Sequence, residues 1–282
     1  LANLDMDELV GILPGLTEAQ QRVLDVAFRY WKEKYNTPHD IQDLMGLLND
    51  LDTLKSWEKL SPGESNALKE GSANIAAIRL RRMINEAQSF YSAAVGAPTD
   101  VRDMVGTPGQ PGRIAIIDLQ GLTDTARQLI VALISSELLK AAGNRNNPIR
   151  PAFIVYEEGH NFAPAGEISI SKNIIKRIAS EGRKFGVGFA IISQRPSKLD
   201  SDVTSQCNTI IAMRIKNPDD QRFIQKTSDY FSAADLAELP SLSTGEALIC
   251  GRAILAPIVV KIGYKALIHG GESPNVCNQW SQ

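Results

Sequence analysis

Glycine nowhere precedes lysine in this 282-residue sequence. The phosphate cradle G-x-x-x-x-G-K-[ST], whose backbone N–H groups and lysine grip a nucleoside triphosphate, is therefore absent. The one glycine-rich turn, around Gly109 and Gly112, has neither that lysine nor a following Ser or Thr. Cysteine is scarce too. Cys207, Cys250 and Cys277 lie far apart and form no C-x-x-C pair, which excludes a zinc ribbon and a disulfide framework and suits a reducing, cytoplasmic compartment. No apolar run approaches the roughly 18 to 20 residues needed to span a bilayer, and no signal-peptide pattern opens the chain, so no membrane partner is expected. The net charge of −2 lacks the basic excess of many nucleic-acid-binding domains. It leaves room for positive charge confined to a few pore-lining side chains. The first residue is Leu1 rather than methionine, which fits a fragment or a trimmed product.

What is present reads as an ordinary globular chain, 43% apolar and 22% charged, able to bury one good core or two modest ones. Residues 1–100 read as a helical bundle or insertion. Apolar spacing near 3.6 places Val23, Ala27, Tyr30 and Trp31 on one face after a Thr17 N-cap. Further helices are expected over 41–51 and 73–91, the latter setting Ile75, Ile78, Met83, Ile84 and Phe90 against Arg79, Arg81 and Arg82. That basic cluster reads either as a solvated helix face or as a DNA contact. Ser61-Pro62-Gly63 has turn chemistry and marks a break.

After a Pro/Gly-rich linker over 96–112 the pattern changes. Strands are expected at 113–119, 151–157, 187–193, 209–213, 246–250 and 254–262, with helices over 124–142 (opened by Thr123) and 169–184 between the first three. Such βαβ alternation predicts an α/β core over 113–263 with a mostly parallel sheet and helices on both faces. Residues 264–282 read as an irregular polar tail.

The strand 151–157 runs into two carboxylates, Glu157 and Glu158, followed by Gly159 and His160. In a parallel sheet all strands finish at one edge, so this acidic pair and the Ser193-Gln194-Arg195 end of the next strand share the rim where open α/β folds bind ligands. A carboxylate there can orient or deprotonate a water that attacks a γ-phosphate, its neighbour can hold a magnesium-bound water, and a glutamine can sense the phosphate. The plainer reading is that strands often end in acidic turns. The intervening helix, about 15 residues at 1.5 Å each, puts Arg183 on the order of 20 Å from Glu158. A catalytic Arg183 would therefore serve a neighbouring subunit. The competing reading is that Lys176, Arg177, Arg183 and Lys184 simply complement a helix C-terminus. His160 can orient the loop, sense nucleotide or make a structural hydrogen bond. Asp118 reads as a polar neighbour of the site or the start of a turn, and His39 and His269 read as isolated surface residues.

Taken together, IAIIDLQGL, FIVYEEGHNFAP, ASEGRKFGVGFAIISQRPSKL and CNTIIAMRIKNPDDQ, in that order, resemble the C-terminal part of the HerA family of hexameric DNA-translocating ATPases, within the wider HerA/FtsK group. The resemblance is specific over about 113–262 and looser in the helical region, which is similar to the family's insertion into a RecA-like core. It implies a ring of six subunits that uses ATP and Mg2+ to move double-stranded DNA and works with a NurA-type nuclease in end resection. Carried over by resemblance, Glu158 is the catalytic glutamate and Glu157 the preceding Walker B acid, which is Asp in many relatives and binds magnesium here through water. Arg183 is the trans-acting arginine and Gln194 the polar sensor; Ser197 and Lys198 are candidate DNA contacts.

Neither the family's N-terminal barrel nor its phosphate-gripping segment is present, so this chain by itself is expected to be inactive. Two other classes fit the same features. One is a conjugation or secretion ATPase of the VirB4 type, and the other is a non-catalytic interaction module that preserves old motifs.

Overall fold

The computed structural model describes residues 6–13, 15–34, 41–87, 100–227, 230–252, 254 and 256–263. Phe90 and Tyr91, residues 96–99 of the linker, His39, His269, Cys277 and the tail 264–282 lie outside them. Two compact units divide the chain, Leu1–Cys207 and Asn208–Gln282.

The first unit opens with helices: α1 (Met6–Ile12), α2 (Glu18–Lys34), α3 (Ile41–Asn49), α4 (Leu51–Lys55), α5 (Pro62–Ala67), α6 (Glu70–Ala87) and α7 (Val101–Val105). Helix α2 buries Val23, Leu24, Ala27, Phe28 and Trp31 on one stripe, as a 3.6-residue period requires. Its start is tied down by the Gln20 side chain, which accepts the Thr17 N–H at 2.9 Å. On α6 the buried stripe is Ala73, Ala76, Ala77, Leu80, Met83 and Ile84, while Ile75 and Ile78 face solvent. The expectation for Ile75 and Ile78 is thus reversed. Three alanines let α2 and α3 approach the first half of α6 closely, and Leu80, Met83 and Ile84 continue the same inner face.

Ser61-Pro62-Gly63, read from sequence as a break, is instead the first turn of α5. The Ser61 Oγ accepts the Glu64 N–H and the Glu64 carboxylate accepts the Ser61 N–H at 2.9 Å, with Pro62 at the first helical position. Glu64 also takes a hydrogen bond from Arg29 on α2. The Ser61 hydroxyl and N–H, then Arg29, hold the Glu64 carboxyl down at about 2. Because the folded value lies below the ordinary one, this stabilisation is complete above about pH 4.5 and is lost as the pH falls toward 2. Glu64→Ala is expected to cost about 1 kcal/mol at pH 7, with the difference from wild type closing between pH 4.5 and 2 in chemical-denaturation curves. A difference that persists at pH 2 would assign the effect to packing rather than charge.

Helix α8 (Asp124–Gly143) is capped by Thr123, whose hydroxyl accepts the Ala126 N–H. Strands β1 (Ala152–Tyr156) and β2 (Val187–Ile191) run parallel, in register from Ala152 opposite Val187 to Tyr156 opposite Ile191. The crossover between them carries α9 (Lys172–Glu181), which buries Ile175 and Ile178. Ala152, Ile154, Phe189 and Ile191 pack against α8, α9 and their neighbours. The opposite face is bare: Phe153 and Val155 are 68% and 52% exposed. The expected second helical layer is therefore not formed by the described residues. Nor is the stretch 113–119 hydrogen-bonded into a sheet; Ile114 and Ile116 are almost fully exposed. An apolar alternating run supplies the faces of a strand, but it becomes one only when a neighbour completes its ladder. A four-residue helix, α10 (Ser201–Thr204), capped by Asp200, closes this unit.

The second unit contains β3 (Thr209–Ala212), α11 (Pro218–Thr227), α12 (Ala233–Glu238), β4 (Glu246–Gly251) and β5 (Ile258–Lys261). These strands form an antiparallel sheet in the order β3-β4-β5, not further parallel strands as the sequence suggested. The link from β4 to β5 is too short for the dozen or more residues a parallel crossover needs. Its core is Ala212, Ile224, Phe231, Leu236, Leu239, Leu242, Leu248 and Cys250. Among the described residues no helix is long and apolar enough to cross a membrane. Burial pushes the Cys207 thiol up to about 11, so it stays protonated and unreactive at neutral pH.

Candidate functional site

Tyr156 ends β1 in the core. Its hydroxyl lies 2.9 Å from the Ser135 Oγ of α8, and burial pushes its pKa up to about 12, so it anchors the strand as a neutral group. Beyond it the ladder continues for one more exchange: the Ile192 N–H reaches the Tyr156 carbonyl at 2.9 Å and the Gly159 N–H reaches the Ile192 carbonyl at 2.8 Å.

Between these bonds the backbone turns through Glu158, at φ 48° and ψ 46°. Glu158 is the only non-glycine residue with positive φ among those described. This left-handed conformation costs an ordinary L-residue about 1–2 kcal/mol, and such strain collects at functional sites. The next residue has no freedom either. A Cβ on Gly159 would stand 2.1 Å from the Ile191 Cγ1, so the turn packs flush on β2 and only glycine fits there.

The turn brings the ends of the two strands together. Gln194 Nε2 donates to Glu158 Oε1 at 3.1 Å. The other carboxylate oxygen lies 3.4 Å from His160 Nδ1, and that nitrogen is 2.9 Å from Ser193 Oγ. Glu157 is exposed at the same rim. Of the residues singled out from sequence, Glu157, Glu158, His160 and Gln194 share one edge. Asp118 accepts the Gln120 N–H at 2.9 Å, which makes it the start of a turn.

Arg183 sits at the opposite edge. It is exposed on a 3-10 turn, Gly182–Phe185, that leads from α9 into the beginning of β2. The five residues of β2 alone span about 13 Å, so Arg183 cannot reach Glu158 of its own chain. The turn is built to hold that place: a Cβ on Gly182 would lie 2.7 Å from the Val187 carbonyl oxygen, and Gly186 has φ +77°.

A brace that the sequence did not disclose supports the rim. The loop after His160 pairs with the loop after Gln194 through Ala165 N–H to the Lys198 carbonyl (2.8 Å) and Asp200 N–H to the Ala163 carbonyl (2.9 Å). Asp200, largely buried, lies 3.2 Å from the Lys176 ammonium and 3.6 Å from that of Lys172. Hydrogen bonds donated by Lys176 to Asp202 and Asp200 raise its pKa despite partial desolvation, and Lys176 in turn lowers that of Asp202. Gln128 of α8 donates to the Asn161 carbonyl and accepts the Ile170 N–H. Partners separated by 24 to 42 residues leave no local pattern to find. Ser197 and Lys198 belong to a 3-10 turn on this braced loop.

No group of three or more His, Cys, Asp or Glu able to hold a metal occurs among the described residues. That donor set does not fit a protein cage for a transition metal. It does fit magnesium, a hard cation that keeps most of its waters and takes one or two carboxylates plus substrate phosphates.

A family model described as "Helicase HerA, central domain" matches residues 1–138. The DNA double-strand break repair helicase HerA of Pyrococcus furiosus is 30% identical across 100% of this chain and 59% of its own length. A probable DNA double-strand break repair helicase HerA of Methanocaldococcus jannaschii is also 30% identical, over 99% of this chain and 62% of its own length. The chain thus spans little more than half the length of these relatives. Among solved structures, VirB4 of Thermoanaerobacter pseudethanolicus superposes with a TM-score of 0.59 over 93% of this chain and 68% of its own, at 15% identity. At that identity the likeness is one of fold. The fold is α/β, with a parallel strand pair preceded by a helical bundle, and VirB4 shares it.

Proposed function

Because this chain belongs to the HerA family, we propose that it supplies the water-activating half of an ATP-driven motor that moves double-stranded DNA. The observation that carries this reading is the strained Glu158, bound through its carboxylate to Gln194 from the neighbouring strand end. In this assignment the Glu158 carboxylate orients and deprotonates the water that attacks the γ-phosphate. Gln194, uncharged, reports the phosphate to the loop that follows it. Magnesium supplies charge neutralisation at the phosphates when bound, and Glu157 holds one of its waters. Arg183 acts on the nucleotide of the adjacent subunit, which demands a closed ring, a hexamer in this reading. The nuclease partner is of the NurA type, and the work is DNA end resection.

The chain contains no phosphate cradle, so alone it binds nucleotide weakly and does not turn it over. The deciding experiment is ATP hydrolysis by the full-length gene product with and without duplex DNA. Hydrolysis stimulated by duplex DNA supports the repair motor. The fold likeness to VirB4 makes a secretion-type motor the second reading, and hydrolysis indifferent to duplex DNA favours it. A full-length product without ATPase activity would sink both and leave an interaction module.

A further inference from the structure

The Glu158 carboxylate has a polar neighbour at each oxygen, but only Gln194 has a role in the reading above. Its Oε2 faces His160 Nδ1 at 3.4 Å. That ring is the fixed member of the pair: the His160 side chain is 18% exposed and that of Glu158 43%. His160 stands on the 3-10 turn Gly159–Asn161, whose Gly159 carbonyl accepts the N–H groups of Phe162 and Ala163 at 3.0 and 2.9 Å. From the other strand end, Ser193 Oγ lies 2.9 Å from the same Nδ1 and accepts the Arg195 N–H at 3.0 Å. Ser193 is thus held by a backbone N–H and hydrogen-bonded to His160, and in the tautomer protonated at Nδ1 that one N–H is shared between Ser193 and the facing Glu158 oxygen.

We propose that His160, seated on Ser193, is a positioning residue that fixes the second carboxylate oxygen of Glu158, so that the proton acceptor is preorganised instead of free to rotate. The inference rests on the assignment of Glu158 as the water-activating group. His160 touches Glu158 and Ser193, and nothing in that geometry gives it a part in gripping nucleotide. Its loss should therefore appear in kcat and spare KM, the pattern of an interaction that matters in the transition state.

The test is steady-state ATP hydrolysis by the full-length protein with duplex DNA. His160→Ala is expected to lower kcat about tenfold with KM for ATP within about twofold. His160→Asn, whose amide can occupy the place of the imidazole Nδ1, should recover most of the rate. Ser193→Ala added to His160→Ala should cost less than Ser193→Ala alone, because part of what Ser193 does passes through the ring and the rest through the Arg195 N–H. Thermal melting of each variant separates positioning from folding; if His160→Ala melts early, the His160→Asn and Ser193→Ala comparison decides. Unchanged kcat in His160→Ala, no recovery in His160→Asn, or full additivity with Ser193→Ala overturns the inference. Glu158→Gln keeps the two levels apart. Turnover that survives Glu158→Gln ends the assignment of Glu158 and the inference together, whereas turnover lost there but indifferent to His160 ends the inference alone.

Discussion

Arg183→Ala in the full-length protein should reduce ATP turnover by about a thousandfold, the scale on which arginine fingers act, while ATP binding measured by a fluorescent analogue stays close to wild type. The effect is expected although Arg183 is exposed and lies at the sheet edge opposite Glu158 of its own chain. Its turn is fixed by Gly182, which leaves no room for a Cβ beside Val187, and by Gly186 in the left-handed region. A residue that only complemented the α9 C-terminus would not need that precision, and its loss would cost a few tenths of a kcal/mol in stability. Wild-type turnover by Arg183→Ala would return the residue to that plain role.

Glu158→Gln is the second large effect, a fall of about a hundredfold or more in kcat with nucleotide still bound. Glutamine has the same length and can still meet Gln194 and His160, so the substitution removes the proton acceptor and little else. The left-handed backbone stays, because the strain belongs to the main chain. Mixing the two variants then tests the geometry directly. Each alone is nearly dead. An interface between an Arg183→Ala subunit and an Glu158→Gln subunit, however, can combine an intact Glu158 from the first with an intact Arg183 from the second. Random co-assembly in equal amounts should make roughly a quarter of interfaces competent, and measurable hydrolysis should return. Mixtures as inactive as their components would show that Arg183 does not act across an interface.

Much of the site was legible because its elements are local. An apolar run that stops on Glu157 and Glu158, and a second strand followed by Ser193-Gln194, suffice to place both ends on one rim once the connection is known to be a parallel crossover. The β1–β2 pair and α9 bear this out in register and direction. Reading failed where neighbours decide. Ile75 and Ile78 have the hydrophobicity of a core stripe and yet face solvent, since α6 turns inward the face that carries Ala73, Ala76, Ala77, Leu80, Met83 and Ile84. Turn chemistry at Ser61-Pro62-Gly63 suggests a break, but Ser61, Pro62 and Glu64 spell the capping box that starts α5.

By itself, then, the sequence determined that an acidic strand end and the Ser193-Gln194 end would share one rim, where the parallel pair would run and that no phosphate cradle lies in this chain; these depend on residue type and on periodicities a few residues long. Tertiary structure alone decided that Glu158 is strained into a left-handed turn, that His160 and Ser193 meet, that Asp200 braces the rim against Lys172 and Lys176, and that β3, β4 and β5 form an antiparallel sheet. Those features join groups far apart in the chain, and their energies come from burial, close approach and hydrogen-bond geometry, none of which exists until the chain has folded.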